Sequence, residues 1–257
     1  MTVVFAAPHH DPEGALDPQL ARVLPLLQTL FGGIAVHATE TTSQRSLERL
    51  RAAGAVVRQV PLAGHLLLGQ PRRGALELGL QLDGATLFFC DFDRALHWAE
   101  CYPDELAAVV AHLPASDFTV LGRTARAYAT HPALQRETEA LANRVFALVS
   151  GQAWDIGAAA RGVSRRAAET ILRDCAVETI GTDAAWPLHL LRAGEYQLGY
   201  IETEGLEFET PDREHAAINA LGGLDSWLTM VDSDPRAWVQ RIEMARITAA
   251  TALAYQE

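Results

Sequence analysis

Five short apolar runs divide the first 122 residues: TVVFAA (2–7), IAVHA (34–38), AVVRQV (55–60), TLFFC (86–90) and DFTVLG (117–122). They show little apolar–polar alternation, as expected of strands covered on both faces. Helix signals fill the intervals. A helix is expected near 18–31. A second opens behind Thr41–Thr42–Ser43 and ends at Ala53 before Gly54, and a Gly/Pro/Arg loop, GQPRRG (69–74), opens a third over ALELGLQL. This alternation constrains the chain to an α/β class with a mostly parallel sheet flanked by helices.

The second half reads differently. A long amphipathic helix is expected over 132–150. AWDIGAAARGVSRRAAETIL then reads as a loop and short strand, with Ser164 capping another helix. Residues 182–193 read as helix and YQLGYIET (196–203) as strand. A polar loop, FETPDREH, and two C-terminal helices close the chain. No internal repeat or low-complexity linker interrupts it.

Composition narrows the function. The 257 residues are 49% hydrophobic, enough for a sizeable core, and a net charge of −11 disfavours a nucleic-acid-binding surface. All 21 basic residues are Arg. Schiff-base lysines and P-loop lysines are therefore excluded. Cys90, Cys101 and Cys175 are scattered and odd in number, which favours a reduced, cytoplasmic protein over a disulfide framework or a CxxC zinc site. MTVVFAAPHH lacks the charge and apolar length of a signal peptide, and no stretch is long enough to span a membrane. The sequence leaves an oligomer open.

The fourth apolar run ends in Asp91-Phe92-Asp93. In open parallel sheets, ligands bind beyond the carboxyl ends of strands. Two carboxylates one residue apart repel each other unless a cation stands between them. Hard oxygen ligands favour Mg²⁺ or Mn²⁺, and such an ion keeps positions open for diphosphate oxygens. A solvated turn with a helix-capping Asp competes with this reading.

The order Gly-rich loop, Arg, helix, strand, Asp-x-Asp in GQPRRGALELGLQLDGATLFFCDFDRALHW resembles the GT-A fold glycosyltransferases, in particular family 2 and its relatives. TVVFAAPHHDPEG is similar to that family's first strand, and IAVHATE to its second. WDIGAAARGVSRRAAETIL and IGTDAAWPLHLLRAG resemble its acceptor-side segments. The resemblance spans residues 2–210. It implies a Rossmann-like GT-A domain with a nucleotide-binding half (1–122), a smaller acceptor-side half (123–210) and a C-terminal helical extension (211–257). The implied activity is metal-dependent sugar transfer from a nucleotide-diphosphate donor to an unidentified acceptor hydroxyl, with inversion or, as in GT-A relatives that combine Asp-x-Asp with a C-terminal His, with retention. The signature of processive polymerases is absent.

The resemblance also assigns roles. Asp91 and Asp93 would hold Mg²⁺ or Mn²⁺ on the donor diphosphate, with His215 as a third ligand. Arg72 or Arg73 would pair with a phosphate or the base. Glu40 would accept a hydrogen bond from base or ribose, or else cap the nearby helix, and Pro8 with His9-His10-Asp11 would line the nucleotide pocket. Trp98 offers a face to a sugar, or else joins the core. Asp183 is the candidate general base, against a competing role as the cap of helix 184–193.

Three rival readings come from other classes. LFFCDFD resembles the first motif of haloacid-dehalogenase-type phosphatases, although Ala95 stands where Thr or Val is usual and no lysine can steady the phosphoryl group. AAPHHDPEG resembles a scrambled form of the zinc-dependent sugar deacetylase motif. A non-catalytic nucleotide-sugar-binding protein is the third.

Overall fold

The computed structural model describes residues 2–64 and 66–256. Seven strands form one sheet: β1 (Val3–His9), β2 (Gly33–Thr39), β3 (Val56–Val60), β4 (Thr86–Cys90), β5 (Phe118–Arg123), β6 (Ala160–Ser164) and β7 (Leu198–Thr203). Their spatial order is β3-β2-β1-β4-β6-β5-β7, and β6 alone runs antiparallel to its neighbours.

Helices cover both faces. One carries α1 (Asp17–Leu30), α2 (Gln44–Ala52), α4 (Phe92–Cys101) and α5 (Pro103–His112). The other carries α3 (Gly69–Gly79), α7 (Ala133–Ser150), α8 (Arg165–Asp174), α9 (Thr182–Ala193) and α12 (Pro235–Leu253), and the short α6 (Ala125–Ala129) follows β5. The period of two along β4 sends Phe88 and Cys90 to the first face, and Leu87 and Phe89 to the second. Both sets are buried, which is why the strand reads as a continuous apolar run. Burying each large apolar side chain contributes about 1.5–3 kcal/mol. Phe31 stacks on Phe5 and on Phe88, and Phe5 meets Phe88 at a tilt, with centroids 5.3–5.7 Å apart, which locks β1 to β4.

Several expected elements need correction. GQPRRG is not a loop: it forms the first half of α3. Pro71 lies in the first turn, where its missing N–H leaves no intrahelical bond unmade. Gly69 is required because an added Cβ would stand 2.5 Å from the Glu178 carbonyl carbon. The C-terminal part holds three helices rather than two: α10 (His215–Ala220), α11 (Leu224–Asp232) and α12. Gly222 and Gly223, at φ 81° and 132°, divide the first two. Trp98 is wholly buried against Phe88 and Gly205, so it belongs to the core and offers no face to a ligand.

Other expectations match. Ser164 accepts a hydrogen bond from Ala167 N at the start of α8. The three cysteines are unpaired. Among the described residues no helix is long and apolar enough to cross a membrane.

Candidate active site

Two cavities meet beyond the carboxyl ends of β1, β2 and β4. The larger, about 630 Å³, runs from the residues after β3 across the ends of β2 and β1 to Asp91 and Asp93. The smaller, about 300 Å³, opens between α7, α9, α12 and the 209–213 segment. Leu68, Arg72, Asp91, Asp93 and Arg213 line both. The acidic pair thus stands in the wall common to the two chambers.

Asp91 is the N-cap residue of α4, yet its side chain makes no capping hydrogen bond. Its Oδ2 lies 3.6 Å from Arg72 Nη2. Burial pushes the Asp91 carboxyl above its usual range; Arg72 pulls against this and Asp93 adds to it. Asp93 accepts from the Arg94 backbone N–H at 2.9 Å and faces Arg213 Nη1 at 3.3 Å.

Arg72 projects from α3 and donates from Nη1 to Asp183 Oδ1 at 2.9 Å. Arg161, on β6, approaches the same oxygen at 3.5 Å. Asp183 lies in the first turn of α9, but its carboxylate turns to these two guanidiniums instead of capping the helix.

The smaller chamber is strongly charged. Glu209 is 6% exposed and its Oε2 has no hydrogen-bond partner, with Arg94 Nε at 3.8 Å. Glu139 binds Arg123 at 2.5 Å and faces Arg241 at 3.7 Å. Ala159, which lines the chamber, holds φ at +51°, a conformation that costs a non-glycine residue about 1–3 kcal/mol.

In the larger chamber His9 packs on Phe92 with ring centroids 4.3 Å apart. Burial lowers its pKa to about 4, against the opposing charges of Asp11 and Asp93, so the ring is neutral near pH 7. His10 Nδ1 shares a hydrogen bond of 2.8 Å with the Thr39 hydroxyl.

No family model and no curated protein matches this chain. Solved structures do match. Glucosyl-3-phosphoglycerate synthase of Mycobacterium tuberculosis, in complex with Mn²⁺, UDP and glucosyl-3-phosphoglycerate, superposes with a TM-score of 0.59 at 15% identity, covering 99% of this chain and 79% of that one. The same enzyme with Mn²⁺, UDP-glucose and phosphoglyceric acid gives 0.56 at 14% identity, with 99% and 79% covered. A further structure of it gives 0.57 at 14%, with 99% and 80% covered.

The chain has the GT-A fold.

On this GT-A frame the residues expected from sequence fall into two groups. Pro8, His10, Arg72, Asp91 and Asp93 line the larger chamber, and Asp183 lines the smaller. Arg73, Glu40 and His215 line neither. Arg73 donates to the carbonyls of Ile171, Leu172 and Cys175 and so closes the end of α8. Glu40 is exposed beyond β2, its backbone N–H bonded to Val60 O. His215 is exposed at the start of α10, and among the described residues no cluster of three His, Cys, Asp or Glu forms a metal site. Arg213, two residues earlier, is the side chain that reaches Asp93.

Sequence reasoning assigned no role to Glu209, Arg213, Arg94, Glu139 and Arg241, which line the smaller chamber. The charge density of FETPDREH was a usable signal for the first two. The others sit inside ordinary helix or strand patterns and carried none.

Proposed function

We propose that the protein is a metal-dependent glycosyltransferase that moves a sugar from a nucleotide-diphosphate donor to an acceptor hydroxyl, with inversion. The supporting observation is the position of Asp91 and Asp93 in the shared wall of the two chambers. The larger chamber suits a nucleotide and the smaller an acceptor. The mycobacterial structures that share the fold are named as complexes with Mn²⁺ and UDP-glucose, which makes that pair the first to try.

The donor set fits a hard divalent cation. Mg²⁺ is commonly held by one or two carboxylates together with substrate phosphates, and Asp91 and Asp93 would supply the protein's share. When bound, the ion offsets negative charge on the departing diphosphate. Arg72 and Arg213 stand beside the same carboxylates and place guanidinium charge at that end of the donor.

Asp183 is the base in this reading. Arg72 and Arg161 both engage Oδ1, which orients the carboxylate and leaves Oδ2 for an acceptor hydroxyl. As the acceptor oxygen bonds to the anomeric carbon, the bond to the diphosphate oxygen breaks and the hydroxyl proton passes to Asp183. Attack opposite the leaving group inverts the centre. The phosphatase alternative lacks the lysine that usually steadies the phosphoryl group, since the sequence contains none.

The test begins with a thermal-shift screen of nucleoside diphosphates with and without Mn²⁺, because a ligand bound only by the native state raises the melting temperature. Transfer from the preferred donor is then followed by nucleotide release. Asp183→Asn should keep donor binding and lose transfer to acceptor. Full transfer by that variant contradicts the base assignment. Binding with neither hydrolysis nor transfer favours a non-catalytic binder.

A further inference from the structure

Four guanidiniums and five carboxylates line the smaller chamber. Each guanidinium faces a carboxylate. Arg72 meets Asp183 at 2.9 Å, and Arg213 meets Asp93 at 3.3 Å. Arg241 meets Glu139 at 3.7 Å, and Arg94 meets Glu209 at 3.8 Å. Asp91 shares Arg72 at 3.6 Å. No guanidinium is left over for an anionic ligand. An anion entering here would have to take a guanidinium from its partner and strand a carboxylate away from bulk water. The volume, about 300 Å³, equals about ten water molecules' share of the liquid. That is room for one monosaccharide or small polyol. Among the described residues no aromatic side chain lines it, so it offers no face for stacking.

Gln135 and Glu139 lie one turn apart on α7 and both line this chamber. Gln135 is 3% exposed. Its Oε1 accepts from Arg241 Nη2 at 3.4 Å, while its Nε2 keeps accessible surface and has no partner among the described residues. Glu139 Oε2 is held by Arg123 at 2.5 Å. Its Oε1 stands 3.7 Å from Arg241 Nη1, beyond a hydrogen bond, and stays open to accept. The two side chains thus offer a donor and an acceptor side by side. A hydroxyl answers both, because it donates one proton and accepts on its lone pairs. An ionised carboxylate or phosphate oxygen only accepts. It would leave Glu139 Oε1 unanswered and set like charge beside it.

We infer that Gln135 and Glu139 select an uncharged, hydroxyl-bearing acceptor, a monosaccharide or polyol, against one that carries phosphate or carboxylate. The inference rests on the glycosyltransferase reading above and names the acceptor class for it.

The protein is first titrated with UDP, GDP and ADP in the presence of Mn²⁺. If none binds, the donor reading falls and takes this inference with it. The protein loaded with the preferred nucleotide and Mn²⁺ is then titrated with matched probes by saturation-transfer NMR. These are glycerol and inositol beside their monophosphates, glucose beside glucose 6-phosphate and gluconate, and 3-phosphoglycerate. At least one uncharged probe should bind wild type about tenfold or more tighter than its charged counterpart, a difference of about 1.4 kcal/mol. Glu139→Gln should erase most of that preference, because the like charge is gone. Gln135→Leu should weaken the same uncharged probe. A wild type that binds no uncharged probe, or that favours the charged counterparts, overturns the inference without any variant having to fold. So does an unchanged preference in a folded Glu139→Gln protein.

Discussion

Arg72 donates to Asp183 across 2.9 Å, joining two side chains 111 residues apart. The other arm of the same guanidinium faces Asp91 at 3.6 Å. One buried cation from α3 therefore ties the strand-tip acidic pair to the carboxylate at the start of α9. The two chambers are set relative to each other through this link.

Removing that cation leaves buried carboxylates with less compensation. Breaking a buried ion pair by deleting one partner typically costs about 3–5 kcal/mol. Arg72→Met should lower stability by an amount of that order, read as a shift in urea midpoint with unchanged slope. Arg72→Lys should lose less stability, yet still weaken nucleotide binding, because an ammonium cannot span two carboxylates as a guanidinium does.

Gly74 offers a test in which helix propensity and packing disagree. Propensity alone favours Gly74→Ala by about 1 kcal/mol. The added Cβ would stand 2.3 Å from His37 Nε2, and overpacking of this kind costs about 1–3 kcal/mol. The expected result is a destabilised protein, measured by thermal unfolding. Stabilisation would show that the His37 ring moves freely.

His97 fastens the 207–212 segment that carries Glu209 into the smaller chamber. Its Nδ1 pairs with Asp212 at 2.8 Å and its Nε2 with Glu207 at 3.3 Å. Burial works to lower its pKa, but the hydrogen bonds and charges of Asp212 and Glu207 outweigh that and raise it. A raised folded-state pKa stabilises fully below the unfolded value of about 6.5, and the benefit is lost as pH rises through the folded value. Wild type should therefore exceed His97→Asn in stability most below about pH 6.5, with the gap narrowing at higher pH. Denaturant titrations of both proteins across that range measure it.

The sheet was legible because β1, β2, β4 and β5 are buried on both faces, so those runs stand out as apolar, while β3 is half-buried along its length and reads as the mixed VVRQV. The place of the acidic pair at the tip of β4 was legible for the complementary reason: two acids end a run that has no other polar residue after Thr86. GQPRRG misled because Gly and Pro usually punctuate, whereas here Pro71 sits in a helix's first turn and Gly69 admits a neighbouring backbone. Arg72 and Arg73 are adjacent in sequence and alike in chemistry. Only the rotation of α3 sends one to the chambers and the other to the end of α8.

The central claim is that Asp91 and Asp93 tolerate each other at a strand tip because a divalent cation joins them to a diphosphate. Calorimetric titration of the preferred nucleoside diphosphate into wild type and Asp93→Asn, each with Mn²⁺ and with a chelator, tests it directly. The account predicts metal-dependent binding in wild type and loss of that dependence in the variant. Equal affinity with metal and with chelator in wild type, or metal-dependent binding undiminished in Asp93→Asn, would contradict it.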